Sequence, residues 1–318
     1  MKKSAFIVLL ILLSIAYLSI LKFQGFEIGA FSRANLFYVC LSLLVLFLIL
    51  LVRSFKYWIL LKAVNIDIGK EVFPTTVLGF YSNFVSPIRV SELVRSFVVK
   101  KKTNKPFFMI MSPTVIDSLI DITAMISIIV FFSLFVAITV DYIPKLFLIG
   151  VFLVFIFATF LLIMTKKGEG ILLSVIKRIS SRFLKKADTT STEFIGKSRE
   201  IIRNWKLIIF VFVLGLLIWL LEGLKLYFIV MASGLLIGLP LAVLIISIAY
   251  LIGGSLVNPS GITQEAVLLL LLLQLPFEKS SLMLAGSLDV LITIGTVLVL
   301  GTLFLLRFGV RTLKLSQI

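Results

Sequence analysis

Long apolar runs recur along this chain, and they limit its fold more than any other feature. They cover roughly Ala5–Leu21, Leu36–Val52, Phe107–Ile138, Leu146–Met164, Leu207–Met231 and Leu282–Leu306. About 20 such residues cross a bilayer as a helix, which satisfies its own backbone hydrogen bonds where water is absent. Over all 318 residues, 60% are hydrophobic and 14% charged, against about 45–50% and about 25% in a soluble domain. The difference excludes a water-soluble globule, a disordered chain, collagen and a nucleic-acid-binding module. An all-α, polytopic helical membrane protein is predicted, as a single membrane domain over residues 1–318.

Two apolar stretches do not fit a simple crossing. Phe73–Pro87 is short and carries Pro74, Gly79, Asn83 and Pro87. Leu241–Leu275 is broken midway by Gly253-Gly254 and by Asn258-Pro259-Ser260-Gly261. The third run, Phe107–Ile138, is long for one straight crossing, so part of it should tilt or bend.

The charge distribution sets a topology. The 31 Lys and Arg exceed the 15 Asp and Glu by 16, and in a membrane protein such a surplus marks cytoplasmic flanks and anionic headgroups. With Lys2 and Lys3 inside, the second run returns the chain to Arg53, Lys56, Lys62 and Lys70 on the cytoplasmic side. Arg89, Arg95, Lys100, Lys101, Lys102 and Lys105 follow Phe73–Pro87, so that stretch should enter and leave on the same side. Lys166–Lys206 holds eleven basic and four acidic residues and is also placed inside, with the tail bearing Arg307, Arg311 and Lys314. Lys22, Arg33, Lys145 and Lys279 fall outside.

Six full crossings result, with both termini in the cytoplasm of a multi-pass cell-membrane protein. Leu241–Leu275 becomes either a second re-entrant hairpin or a pair of short spans. The first half is 1–164, a basic linker follows at 165–206, and the second half is 207–318. Within the linker, Gly170–Lys186 spaces Ile171, Leu172, Val175, Ile176, Ile179 and Phe183 helically among basic residues. That pattern suits an amphipathic helix on the inner leaflet, or a solvated linker helix. The start resembles a signal peptide, but its apolar stretch is long and lacks a small-residue cleavage site, so it reads as a retained first helix.

There is no His, and the single cysteine, Cys40, sits in an apolar run. No disulfide, Cys cluster or His ligand is therefore available, and neither metal nor cofactor is expected. Gly168-Glu169-Gly170 is not a nucleotide-binding loop.

Charge inside apolar segments carries the functional signal, because a central Asp or Arg costs about 2.5–3.5 kcal/mol on insertion scales. The residues concerned are Arg89, Glu92, Arg95, Asp117, Asp121, Glu222, Lys225, Glu265 and Asp289. Asp117 and Asp121, four apart on one helix face, repel each other unless a cation stands nearby. Arg89, Arg95, a bound proton or a substrate amine would serve. Glu222 and Lys225, three apart, can pair locally.

The two broken stretches resemble each other. Gly79 to Pro87, with Asn83, leads to Glu92; Gly253 to Pro259, with Asn258, leads to Glu265. One lies in each half. Paired interrupted helices in corresponding positions point to a transporter's midplane site, and their helix N-termini favour an anion such as phosphate. Pro and Gly that merely kink ordinary spanning helices would give the same pattern.

Asn83-x3-Pro87-x-Arg89-x-Ser91-Glu92-x2-Arg95 resembles the Asn…Pro-x-Arg-x-Gly-Glu-x2-Arg signature of the lysylphosphatidylglycerol synthase transmembrane-region family. Asp117-x3-Asp121 is similar to that family's Glu-Arg-x2-Asp. Trp219-x2-Glu222 with Tyr227, and Pro259-Ser260-Gly261-Ile262 with Glu265, resemble two further elements in the right order. Ser91 stands where that signature has Gly, Ser118 where Arg is usual, and Asp289 where Arg is expected. The resemblance covers nearly the whole chain and implies a polytopic domain that flips a lipid, in the best-known case aminoacylated phosphatidylglycerol. Some related domains are attached to glycosyltransferases acting on polyprenyl or dolichyl phosphates. The soluble aminoacyltransferase domain of bifunctional members is not expected.

The substrate-binding residues expected are Asn83, Pro87, Arg89, Glu92, Arg95, Asp117, Asp121, Glu222, Pro259, Gly261 and Glu265. In the leading reading they serve a lipid flippase, with Arg89 and Arg95 meeting a phosphate and the carboxylates balancing them or meeting a cationic headgroup. The alternative is a membrane-embedded transferase acting on a lipid-phosphate carrier. Its base would have to be a carboxylate such as Asp117 or Asp121, often with a carboxylate-held metal. A membrane scaffold is a third reading, but it needs fewer buried charges. Expected partners are membrane lipids, anionic or carrying a lipid-linked phosphate, and not nucleic acid. Homo-oligomerisation and a separate lipid-modifying enzyme remain open.

Overall fold

The computed structural model describes residues 28–86, 90–137, 187–255 and 260–308. Among these the chain is helical and contains no strand. A 3-10 turn, Ile28–Arg33, precedes α1 (Leu36–Lys62); a second, Gly69–Glu71, leads into α2 (Val72–Val85). Then follow α3 (Ser91–Thr103), α4 (Phe107–Ala137), α5 (Ala187–Arg203), α6 (Trp205–Ala232), α7 (Leu239–Ser255) and α8 (Ser260–Leu272). The last span is α9 (Lys279–Val290), a π turn at Leu291–Gly295 and α10 (Thr296–Phe308).

Four spans among the described residues are long and apolar enough to cross a membrane: Leu36–Lys62, Phe107–Ser133, Trp205–Ala232 and Lys279–Arg307. Together with its family, reported below, this makes the chain a multi-pass membrane protein. The first and fourth expected spans, Ala5–Leu21 and Leu146–Met164, lie outside the described residues, as does the amphipathic stretch Gly170–Lys186. Large apolar side chains face outward as well as inward. On α1, Leu44, Phe47, Leu48, Leu51 and Phe55 are exposed while Val45, Leu46, Ile49 and Leu50 are buried. A helix apolar all round is what lipid on one side and protein on the other requires.

The third run forms α4, with Pro113 inside the helix; proline has no N–H to give, so a ladder bond is missing there. The end of the linker is not a solvated connection. α5 lies against α4, with Phe194 and Ile201 buried and Ser198 Oγ 2.8 Å from Ser112 Oγ.

Side-chain caps fix where the long helices begin. Asn35 Oδ1 accepts from the Phe37 amide at 3.0 Å, and Asn204 Oδ1 from the Leu207 amide at 3.2 Å. Each satisfies one of the donors that a first turn leaves unpaired. The Asn35 amide bonds the Ala232 carbonyl at 2.9 Å, so the start of α1 meets the end of α6. These two helices are antiparallel and pack extensively.

The broken stretches are helical hairpins. At 14 and 13 residues, α2 and α3 reach only about 20 Å each at 1.5 Å per residue, short of a hydrocarbon core of about 30 Å. The arms run antiparallel and pack against each other. α7 and α8 do the same, at 17 and 13 residues. Leu241–Leu275 thus folds as two packed antiparallel arms.

The hairpins enter from opposite ends of the bundle. Glu71, where α2 begins, faces Lys102 at 3.9 Å near the end of α3 and Arg307 at 3.3 Å near the end of α10. The second hairpin opens from the other end, where Leu235, Ile237 and Leu282 pack with Phe31. In each case the first arm lies on a span of the other half: α2 on α10, and α7 on α4. The halves are interlocked.

Candidate functional site

Where the halves interlock, buried charge forms one continuous chain. It starts on α3, where Arg95 Nη1 sits 2.6 Å from Asp117 Oδ2, with its guanidinium 4.8 Å from the Tyr57 ring centroid. Lys56 on α1, fully buried, lies 2.9 Å from Asp117 Oδ1 and also pairs with Asp121. Arg53, one turn earlier, bonds Asp121 Oδ2 through Nη1 and Glu222 Oε1 through Nη2, each at 3.2 Å. Glu222 Oε2 is 3.3 Å from Lys225 Nζ, which reaches Asp289 Oδ1 at 3.1 Å and Thr293 Oγ1 at 2.8 Å. Glu265 on α8 completes the series against Asp289.

Isolated, each of these charges would be expensive to desolvate. From Arg95 to Asp289 the signs alternate and each charge is held by an opposite neighbour, so removing one strands another. The expected repulsion between Asp117 and Asp121 is relieved by Lys56. The Glu222–Lys225 pair exists, but it is one link of a longer chain.

Local sequence builds the two hairpin tips. Asn83 Oδ1 accepts from the amides of Val90 at 3.3 Å and Ser91 at 3.1 Å, capping α3 from across the break. Glu92, in the first turn of α3, accepts from Ser91 Oγ and Ser118 Oγ, both at 2.9 Å. The arms cross at glycines. A Cβ on Gly79 would stand 2.7 Å from the Arg95 side chain, and one on Gly253 would stand 2.6 Å from Gln264 Cα. Only residues without a Cβ allow that approach.

The halves carry matching chemistry. A long helix with charges three apart (Arg53 and Lys56; Glu222 and Lys225) precedes each hairpin. The hairpin carries a glutamate on its second arm (Glu92; Glu265). A following helix supplies an aspartate to the lysine (Asp117; Asp289). Asp121, one turn beyond Asp117, corresponds to Thr293, one turn beyond Asp289.

Two cavities border this chain and share Arg53, Phe80, Asn83, Ser118 and Asp121. The smaller, about 50 Å³, is polar, with Ser91, Glu92, Arg95 and Asp117 in its wall. The larger, about 170 Å³, runs from Glu222 and Thr293 past Trp219 and Tyr250 to Leu46, Ile49, Ile122, Met125 and Val297. The cavity is partly open, and Ile122 in its wall is 41% exposed on α4. Arg53 stands on the shared wall between the rings of Phe80 and Trp219, at 5.1 and 5.8 Å. The Trp219 indole is fixed by donating to the Asp121 carbonyl at 3.0 Å.

Of the residues expected from sequence, Asn83, Glu92, Arg95, Asp117, Asp121 and Glu222 line the cavities. Glu265 lies behind them at the far end of the charge chain, and Gly261 sits in the first turn of α8. Pro87, Arg89 and Pro259 are outside the described residues. The sequence reading needs one correction: Arg53 and Lys56, expected on the cytoplasmic flank, are buried at the centre. α1 does not end at Val52 but runs to Lys62. The signal was present, because Tyr57-Trp58-Ile59-Leu60-Leu61 continues the apolar run beyond Lys56. Among the described residues no group of three or more His, Cys, Asp or Glu is arranged to hold a metal ion.

The chain is similar to a UPF0104 membrane protein of Methanothermobacter thermautotrophicus, with 24% identity over 278 residues, covering 82% of each chain. No solved structure matches it significantly. Residues 5–301 match the family described as the lysylphosphatidylglycerol synthase TM region, and the chain therefore belongs to that family.

Proposed function

We propose that this protein moves a phosphate-bearing lipid between the leaflets of the cell membrane, without making or breaking a covalent bond, and that both termini are cytoplasmic. The observation that carries the reading is the position of Arg53. It is a buried cation on the wall shared by a polar cavity and a larger, partly open cavity whose wall includes the exposed Ile122. A headgroup entering sideways past Ile122 meets the guanidinium first, while its acyl chains stay against Leu46, Ile49 and Met125. Arg95 strengthens the site, since it lines the polar cavity and its buried Nε–H has no partner among the described residues. A planar guanidinium exchanges one oxyanion for another with little reorganisation. The phosphate would therefore displace Asp121 or Glu222 from Arg53 rather than occupy an empty cation.

The inverted hairpins supply the means of passage. The two hairpins enter from opposite ends of the bundle, so rocking one half against the other would expose the same site to alternate leaflets. The transferase reading is less well supported. Asp117 and Asp121, its expected base or metal ligands, are already held by Lys56, Arg95 and Arg53.

Mass spectrometry of lipid retained by the purified protein identifies the cargo. Liposomes loaded with that lipid, labelled in one leaflet, then test the activity. Movement of unaltered lipid is expected. A chemically altered product that requires Asp117 or Asp121 would establish the transferase instead.

A further inference from the structure

We infer that the site selects a short zwitterionic headgroup: a phosphodiester carrying a primary ammonium on a short arm, with its phosphate on Arg53 and its ammonium on Asp121. The inference rests on the site proposed above and names its ligand class. Charge balance carries it. The buried cations among the described residues are Arg53, Lys56, Arg95 and Lys225. Ion pairs tie them to Asp117, Asp121, Glu222 and Asp289, four against four. Glu92 and Glu265, beside this series, bring no positive charge. A phosphodiester arriving at Arg53 adds a negative charge to a largely buried cluster, and no described buried cation is left over to answer it. Such a charge is costly unless it is paired. An anionic lipid leaves it unbalanced; a lipid whose headgroup carries its own ammonium does not.

Asp121 is the carboxylate placed to receive that ammonium. It lines both cavities. Its side chain is 19% exposed, against 4% for Asp117, 5% for Glu222 and 0% for Asp289. Its Oδ1 pairs with Lys56, and its Oδ2 with Arg53 Nη1 at 3.2 Å. A phosphate oxygen that takes over Nη1 frees Oδ2, while Oδ1 keeps Lys56. Asp121 stays anchored, and its freed oxygen accepts from the ammonium of the same headgroup. The Arg53–Asp121 pair is exchanged for two, and the cluster keeps its balance. The polar cavity limits the length of the arm. Its volume is about 50 Å³; at about 10–15 Å³ for each water, that is room for about four water-sized groups. An aminoethyl arm fits, whereas a sugar or an aminoacylated glycerol does not. Ser91, Ser118 and Asn83 in the same wall are neutral, and Arg95, the other cation there, is held by Asp117 at 2.6 Å.

Binding and movement are tested separately on the full-length protein. In detergent, thermal stabilisation is titrated with dioleoyl phosphatidylethanolamine and, in parallel, with dioleoyl phosphatidylglycerol. Phosphatidylethanolamine should bind about 10-fold tighter, the worth of one added charge-assisted hydrogen bond. Asp121→Asn should reverse the preference, because the cluster then holds a spare positive charge, and Asp121→Glu should keep it. Arg53 and Lys56 retain Glu222 and Asp117 in both variants; should Asp121→Asn still fail to fold, the wild-type comparison decides alone. Wild-type protein that binds phosphatidylglycerol as tightly, or neither lipid, overturns the inference, and so does an Asp121→Asn protein that still prefers phosphatidylethanolamine. Both lipids, labelled in one leaflet of liposomes, then separate this inference from the transport reading. Preferential binding without movement of either lipid leaves the headgroup site standing while the transport reading fails. Movement of phosphatidylglycerol with no preference for phosphatidylethanolamine does the reverse.

Discussion

Arg53 Nη2 lies 3.2 Å from Glu222 Oε1, and this bond joins the polar groups of the two halves. On one side the charges run back through Asp121, Lys56 and Asp117 to Arg95; on the other they continue through Lys225 to Asp289 and Glu265. A single chain of charge, alternating in sign from Arg95 to Asp289, thus threads a bundle whose spans carry exposed apolar side chains. A substrate that breaks the Arg53–Glu222 bond acts on both halves at once, which is what a rocking mechanism needs.

Lys225 should matter more to stability than to transport alone. Lys225→Met leaves Asp289 buried without a cation, and breaking a buried pair in this way costs about 3–5 kcal/mol. A clear fall in melting temperature in detergent is expected. Adding Asp289→Asn should restore part of it by removing the stranded charge. An unchanged melting temperature in Lys225→Met would mean that water reaches the cluster.

The hairpin tips should be sensitive to small changes. Asn83→Ala removes the side chain that caps α3 and should cost about 1 kcal/mol. Gly253→Val brings a Cβ against the Gln264 backbone at 2.6 Å, which cannot swing aside; overpacking of this kind costs about 1–3 kcal/mol. Gly196→Ala on α5 meets nothing within 4 Å and, as a change inside a helix, should raise stability by up to about 1 kcal/mol. Thermal unfolding of the three variants side by side checks the order.

The topology predicts which cysteines react from which side. In a Cys40→Ser background, cysteines at Lys70, Lys101 and Arg307 should all label from the cytoplasmic side, and one at Lys279 from outside. Glu71 ties Lys102 and Arg307 to the same end of the bundle. Labelling of Lys70→Cys and Lys101→Cys from opposite sides would contradict a re-entrant first hairpin.

Much of this was legible in the sequence, because membrane insertion leaves plain marks. Apolar length predicts the spans, and the Asn, Gly and Pro interruptions mark both hairpins. The carboxylates stand out because little else in those runs is polar. Arg53 and Lys56 were harder to place. A basic residue at the end of an apolar run is read by the positive-inside rule as a cytoplasmic flank, and that rule weighs side chains by position along the chain. Which way a side chain faces depends on partners far away in sequence, here Asp117, Asp121 and Glu222. Comparing Arg53 and Lys56 with Glu222 and Lys225, both three apart and both ahead of a broken hairpin, is the sequence signal that could have placed them inside. The packing of α5 on α4 left a fainter mark: among its described side chains Phe194, Ser198 and Ile201 are buried at helical spacing, with Ile202 beside them, in a stretch otherwise rich in polar residues.

The most direct measurement is leaflet exchange of the co-purified lipid in liposomes, comparing wild type with Arg53→Gln at matched, correctly folded protein levels. Removing a guanidinium that makes charge-assisted bonds worth about 1.5–3 kcal/mol should slow exchange about 10- to 100-fold, with Arg53→Lys recovering only part because it lacks the planar fork. Exchange by Arg53→Gln at the wild-type rate would contradict a headgroup site at Arg53.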